Sequence, residues 1–127
     1  MSLPTRSLAT AAQADIARGW TPLTLNRLVE LWSAVPAMPA KSGPPRFPNR
    51  RPLDLHALPH LGARLAVTIS RSDVERLVAA LRAEGRLSTA TINGILATLK
   101  RALEFGVRRG FLPSNPALGI RPLPRPA

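Results

Sequence analysis

The side chains best suited to chemistry in this chain of 127 residues are hydroxyls, an amide and cations that cluster in one segment. They are Ser88, Thr89, Thr91, Asn93, Lys100 and Arg101. Hydroxyl groups and backbone amides at the start of a helix donate hydrogen bonds to phosphate oxygens, aided by the helix dipole. Asparagine pairs bidentately with adenine and arginine with guanine. The segment therefore predicts phosphate contacts at its start and contacts with base edges farther along.

The charge balance also indicates a polyanionic partner. The chain carries 18 Lys and Arg residues against 7 Asp and Glu, a formal net charge of +11, and such a field concentrates polyanions at the surface. Double-stranded DNA is the first partner to expect, and an acidic membrane surface the second. Arg86, Arg50 and Arg51 would add attraction that does not depend on DNA sequence. The predominance of arginine over lysine suits forked hydrogen bonds, but an Arg- and Ala-rich genome explains it equally well.

Structural roles account for several of the same residues. Ser88 is a good helix N-cap by itself. Lys100 and Arg101 precede Glu104 at spacings that allow ion pairs on a solvated helix face. The arginines at 108–109 lie where cations stabilise a helix C-terminus. Both interpretations remain open for each of these positions.

Absent residue types exclude much catalytic chemistry. The chain has no Cys and no Tyr, which excludes disulfides, thiolate nucleophiles and phenolic nucleophiles. His56 and His60 have the spacing of a helical metal pair but no third ligand in sight, so we expect no metal and no cofactor. No apolar stretch resembles a signal peptide or approaches the roughly 18 residues of a membrane span. We therefore expect a soluble cytoplasmic protein whose partners include neither a membrane nor a small-molecule substrate.

Helices must position the polar side chains. Ser70 predicts the N-cap of a helix that ends at Gly85. Ser88 predicts the N-cap of a longer helix, of about six turns, whose apolar residues recur at three- and four-residue steps. This helix reaches Arg109 and ends before Gly110, so it has an apolar side and a mostly cationic side.

The N-terminal half predicts further helices. One runs to about Val35, with Thr21 as its N-cap and Pro22 at its first position. The Ala-rich segment 1–20 predicts a weaker helix. The expected fold class is all-α, a small bundle of about four helices, in a domain spanning 21–117.

Prolines mark the segments that cannot continue a helix. Six of the 14 prolines lie in 36–52 together with four cations and no acid, which predicts an extended, mobile basic loop. A short candidate helix at 53–60 is expected to break at Pro59. The stretch 64–70 fits a buried connection better than a strand, and 118–127 is expected to be a linker.

The order of several motifs resembles a known family. The motifs are Leu61-Gly62, Ile69-Ser70 and Asp73-Val74, then the segment 77–117 with Arg108-Arg109-Gly110 and Ser114-Asn115-Pro116 at its close. This order is similar to the core-binding, SAM-like domain of tyrosine recombinases, the phage-integrase family. The resemblance implies a bundle of about four helices that clamps one side of duplex DNA.

The resemblance also implies that catalysis belongs elsewhere. In that family a separate catalytic domain carries out strand exchange with an arginine pair, a histidine, a lysine and a tyrosine. This chain has no Tyr, so we expect it to be no enzyme by itself but a DNA-binding fragment or truncated relative of a site-specific recombinase, able to assemble with other copies on DNA. It departs from the family pattern because the Pro-rich loop 36–52 replaces most of a second, cation-rich helix.

Two other functions fit the same sequence. One is a stand-alone helical protein-interaction module whose arginines serve solubility. The other is a small basic phage or plasmid regulator, although the link from Gly85 to Ser88 resembles a helix-turn-helix only loosely. Duplex binding that weakens steeply with salt favours the DNA hypothesis, whereas salt-insensitive association with a protein favours the first alternative.

Overall fold

The computed structural model describes residues 23–36, 43–44 and 46–124. Within these ranges the chain forms α1 (Leu25–Ser33), α2 (Leu58–Leu61), α3 (Arg71–Glu84) and α4 (Thr89–Arg108), with a π-turn at Leu53–Ala57 and a 3₁₀ turn at Ala66–Thr68. The described residues contain no strand, which confirms the prediction of an all-α bundle of about four helices. None of these helices combines the length and apolarity needed to cross a bilayer.

The first helix begins later than predicted. The Thr24 side chain caps α1 by accepting a hydrogen bond from the Arg27 amide at 3.2 Å. Hydrogen bonds of 2.7 and 2.9 Å to the turn at 64–66 hold the residues just before the helix in an extended conformation. The predicted N-cap Thr21 is therefore wrong, because a distant part of the chain decides where the helix starts. The predicted helix in segment 1–20 lies outside the described residues.

The third helix has the predicted ends. The Ser70 hydroxyl accepts from the Asp73 amide at 3.2 Å, and the Asp73 carboxylate accepts from the Ser70 amide at 2.9 Å, which forms a capping box. Gly85 ends α3 in the left-handed region, at φ +70°. Arg64 reaches the same carboxylate at 2.9 Å and ties the preceding turn to α3. Burial opposes ionisation of Asp73, but hydrogen bonds from Arg64 and Ser70 outweigh that cost and hold its pKa below the ordinary 3.8.

The expected break at Pro59 does not occur. In the π-turn the Leu58 amide donates to the carbonyl of Leu53, one residue farther back than in an α-helix. The α-helix then restarts at Leu58, so Pro59 falls in a first turn, where an amide would have no acceptor within the helix. A wider turn thus replaces the predicted break, and the path stays helical through Leu61.

The core lies between α1, the π-turn, α3 and α4. Its largest fully buried side chains are Leu25, Leu28, Leu53, Leu81, Leu99, Leu103, Val29 and Val74. Two glycines allow close packing: a Cβ at Gly62 would overlap the Asn26 side chain, and a Cβ at Gly106 would lie 2.9 Å from Cδ1 of Leu112. Any larger residue at either position would therefore disturb the packing.

The C-terminal residues 111–124, which we name the tail, pack along α4. Leu112, Ala117 and Ile120 of the tail are buried in the same core as the helices. The packed structure thus continues past residue 117, where the sequence placed the start of a linker. Because the tail contacts α4, it decides which sides of that helix are open.

Candidate nucleic-acid interface

Helix α4 has the two sides that its periodicity predicts. Ser88 caps its start by accepting from the Thr91 amide at 3.1 Å, and Gly110 follows its end with a φ of +79°. Ile92, Ile95, Leu96, Leu99 and Leu103 are buried on one side. On the other side Thr91, Gly94, Ala97, Arg101 and Arg108 are exposed. The exposed side is the part of α4 that could meet a ligand.

This exposed side borders two adjoining clefts of about 620 and 480 Å³. The first lies between the C-terminal half of α4 and the end of α1, and the second between the N-terminal half of α4 and the π-turn. Asn49, Pro52, Thr98 and Arg101 line both. We treat the two as one surface, the α4 cleft, whose opposite wall is the end of the Pro-rich loop.

The α4 cleft is strongly basic. Arg51, Arg101, Arg108 and Arg109 line it, and Glu104 is the one acid among the described residues that do so. The Glu104 carboxylate lies 3.7 Å from Nε of Arg108 and offsets one of these four positive charges. The cleft therefore carries an excess of positive charge.

Two of these arginines are held by neighbours on α4. The guanidinium carbon of Arg109 lies 5.2 Å from the ring centre of Phe105, within cation–π range. Nη2 of Arg101 donates to Oγ1 of Thr98 at 3.3 Å. The same hydroxyl donates to the carbonyl of Gly94 at 2.8 Å. These contacts restrict the rotamers of the cations without neutralising their charge.

The predicted residues at the start of α4 lie at one end of the cleft. Thr91 lines it, and Ser88 and Thr89 lie just before. The Ser88 hydroxyl accepts from the Thr91 amide, which confirms the N-cap role of Ser88, and it also lies 2.9 Å from the Thr91 hydroxyl. Arg86, in the preceding turn, is exposed and donates to Glu84 at 3.2 Å.

The tail covers Asn93 and Lys100, which lie on a different side of α4 from Arg101. The Asn93 amide donates to the Leu123 carbonyl at 3.0 Å and accepts from the Leu123 amide at 2.7 Å. Nζ of Lys100 donates to the Ile120 carbonyl at 2.6 Å. The structure therefore does not bring these two predicted residues together with Arg101.

The two predicted loop arginines differ in their surroundings. Nε of Arg50 donates to both carboxylate oxygens of Asp54, at 2.9 and 3.1 Å, so the Arg50 guanidinium is already paired with an acid. Arg51 is exposed and lines the cleft. The Arg51 amide donates to Oδ1 of Asn49 at 3.1 Å, which fixes the local backbone of the wall.

Sequence reasoning missed other cleft residues. Arg108 and Arg109 were left out of the predicted contact set because a role at the helix C-terminus explains them, although seven and eight residues from Arg101 amount to about two turns. In the sequence, Asn49 resembles any polar residue of a Pro-rich loop, and Phe105 resembles a core residue. Neither position therefore predicted a place in the cleft. The histidines predicted not to bind metal lie apart from any cluster, since the described ranges hold no group of three potential ligands.

The comparisons with known proteins identify the fold. The chain is similar to the solution NMR structure of a phage integrase SAM-like domain from Moorella thermoacetica, with a TM-score of 0.64, 24% identity and coverage of 82% of this chain and 88% of that one. It is also similar to the solution NMR structure of an integrase-like domain from Bacillus cereus, with a TM-score of 0.62, 19% identity and coverage of 82% and 86%. No protein-family model and no curated sequence matches. The fold resemblance stated from the sequence is confirmed.

Proposed function

We propose that the α4 cleft binds duplex DNA and that the chain positions DNA for strand exchange by a catalytic domain outside it. The observation that carries the proposal is that four arginines and, among the described residues, a single acid line an open cleft beside the longest described helix. The fold shared with a phage integrase SAM-like domain supports the same function. In this proposal the chain is a DNA-binding unit that assembles with other copies on DNA in the cytoplasm, and it is no enzyme.

Each part of the cleft has a role in this proposal. The exposed side of α4 has the width to enter a major groove. Ser88, Thr89 and Thr91, at the positive end of the helix dipole, donate to phosphate oxygens. Arg101 reaches a base edge or a phosphate of the opposite strand.

Other cations supply attraction that does not depend on sequence. They are Arg51, Arg108, Arg109 and, in the turn before α4, Arg86. Arg50 contributes less because Asp54 already accepts from it. Asn93 and Lys100 keep their hydrogen bonds to the tail and are left out of the proposed contact set.

The test is a salt titration of binding to a duplex of random sequence of about 30 base pairs, followed by fluorescence anisotropy. Four phosphate contacts predict a log–log slope near −3.6, or about a hundredfold loss of affinity between roughly 50 and 200 mM salt. Replacing Arg101 and Arg108 together by Ala should reduce the slope by about 2. The matched control is Arg71→Ala with Arg82→Ala, which removes the same charge from α3, a helix with no residue in the cleft lining.

Two results would contradict the proposal. Equal losses in the cleft variant and the α3 control would mean that net charge alone attracts DNA. Salt-insensitive association with a protein, without duplex binding, would favour the interaction-module alternative. For that alternative, Phe47, Leu55 and Leu118 are the exposed large apolar side chains of the described residues.

A further inference from the structure

One hydroxyl connects the most central cleft arginine to the backbone of α4. Oγ1 of Thr98 donates to the Gly94 carbonyl at 2.8 Å and accepts from Nη2 of Arg101 at 3.3 Å. Thr98 is 5% exposed and is the buried polar side chain of the described core. Because packing fixes its β-branched side chain, the hydroxyl is a fixed acceptor rather than a rotating one.

Arg101 is central because it lines both parts of the α4 cleft. Gly94 lies about two turns before it on the same side of α4, and a Cβ there would meet no described atom within 4 Å. Because Arg101 is exposed and lines both parts of the cleft, its guanidinium borders open space and has one anchored contact, with Thr98. A free arginine samples many rotamers, and those must be lost when it binds a planar partner.

We infer that Thr98 is a positioning residue: its hydroxyl holds the Arg101 guanidinium over the α4 cleft in the orientation that bidentate contact with DNA requires. The inference rests on the proposed function. Only one guanidinium nitrogen of Arg101 donates to Thr98. The other N–H groups of the guanidinium therefore remain available for a guanine edge or a phosphate. Ordering the side chain before binding reduces the entropy lost on binding.

The test separates the hydroxyl from the shape of the side chain. Thr98→Val keeps the branched shape and removes the hydroxyl, whereas Thr98→Ser keeps the hydroxyl and removes a methyl group. Duplex affinity, measured with the random duplex by anisotropy, should fall about fivefold in Thr98→Val and stay near wild type in Thr98→Ser. The melting temperature, followed by circular dichroism, reports any purely structural effect of either change.

A double-mutant cycle with Arg101→Ala identifies the route of the effect. On the Arg101→Ala background, Thr98→Val should cause no further loss of affinity, because the side chain that Thr98 positions is gone. If valine perturbs the helix, Thr98→Ala enters the same cycle in its place.

Several outcomes would overturn the inference. Wild-type affinity in Thr98→Val, alongside weakened binding in Arg101→Ala, would show that Arg101 needs no positioning while leaving the proposed function intact. Equal losses on both backgrounds would show that Thr98 acts without Arg101. Affinity that follows the melting temperature across all variants would assign Thr98 a structural role only. Absence of duplex binding by the wild-type chain would instead reject the proposed function.

Discussion

The two glycines of α4 should respond in opposite ways to the same substitution. Glycine in a helix interior is about 1 kcal/mol less favourable than alanine. At Gly94 an added Cβ meets no described atom within 4 Å, so the whole helical gain is realised. Gly94→Ala should therefore stabilise the fold by about 1 kcal/mol, which raises the melting temperature by roughly 4–8 °C for a domain of this size.

At Gly106 the same methyl group enters a packed core. Its Cβ would lie 2.9 Å from Cδ1 of Leu112 and 3.2 Å from Cδ1 of Leu28. Leu28 is fully buried and Leu112 nearly so, which leaves neither side chain free to move into solvent. Overpacking of this kind costs about 1–3 kcal/mol, so Gly106→Ala should give a net loss of about 1 kcal/mol.

Urea unfolding followed by far-ultraviolet circular dichroism measures both variants against the wild type. The slopes of the three transitions should agree, so that the midpoints report the free energy of unfolding directly. Stabilisation of similar size by both substitutions would refute the tight contact among Gly106, Leu28 and Leu112. Destabilisation by Gly94→Ala would refute the open space at that position.

Two further predictions concern contacts outside the cleft. Because hydrogen bonds hold the pKa of Asp73 below its ordinary 3.8, its carboxylate stabilises the fold fully above that pH and progressively less as pH falls through the folded-state value. Asp73→Asn should therefore lower the free energy of unfolding by about 1–2 kcal/mol at pH 7 because it weakens hydrogen bonds to a charged group. Urea titrations at several pH values should show this deficit shrinking below about pH 4. A deficit independent of pH would contradict the role of the charge. Asn93→Ala removes both hydrogen bonds to Leu123 and should release the end of the tail, so that amide exchange at Leu123 accelerates while the global free energy of unfolding falls by less than about 1 kcal/mol. Unchanged exchange at Leu123 would show that the tail is held by its apolar contacts alone.

The sequence predicted best those features that local chemistry decides. The capping box at Ser70, the cap at Ser88 and the left-handed glycines after α3 and α4 are signals within a few residues of the helix ends that they determine. The apolar period of α4 identified its buried side for the same reason.

The features that the sequence did not predict depend on distant parts of the chain. The helix α1 starts later than predicted because the turn at 64–66 pairs with the residues on either side of Thr24. Asn93 and Lys100 were expected to face DNA, but the tail folds back over them. The composition of the tail predicted an extended linker because its apolar residues recur at neither a helical nor a strand period. Their burial can be seen only in the folded chain. The DNA contacts of the remaining residues stay a prediction.

The docked tail has a consequence for anything attached to this domain. Asn115 donates to the carbonyl of Lys100 and Leu123 pairs with Asn93, so the tail runs antiparallel to α4. A fluorophore or protein module fused after residue 124 would thus be tethered beside the first turns of α4, near Asn93. A short flexible connection from that point would give the attached group a local concentration in the millimolar range around that end of the helix.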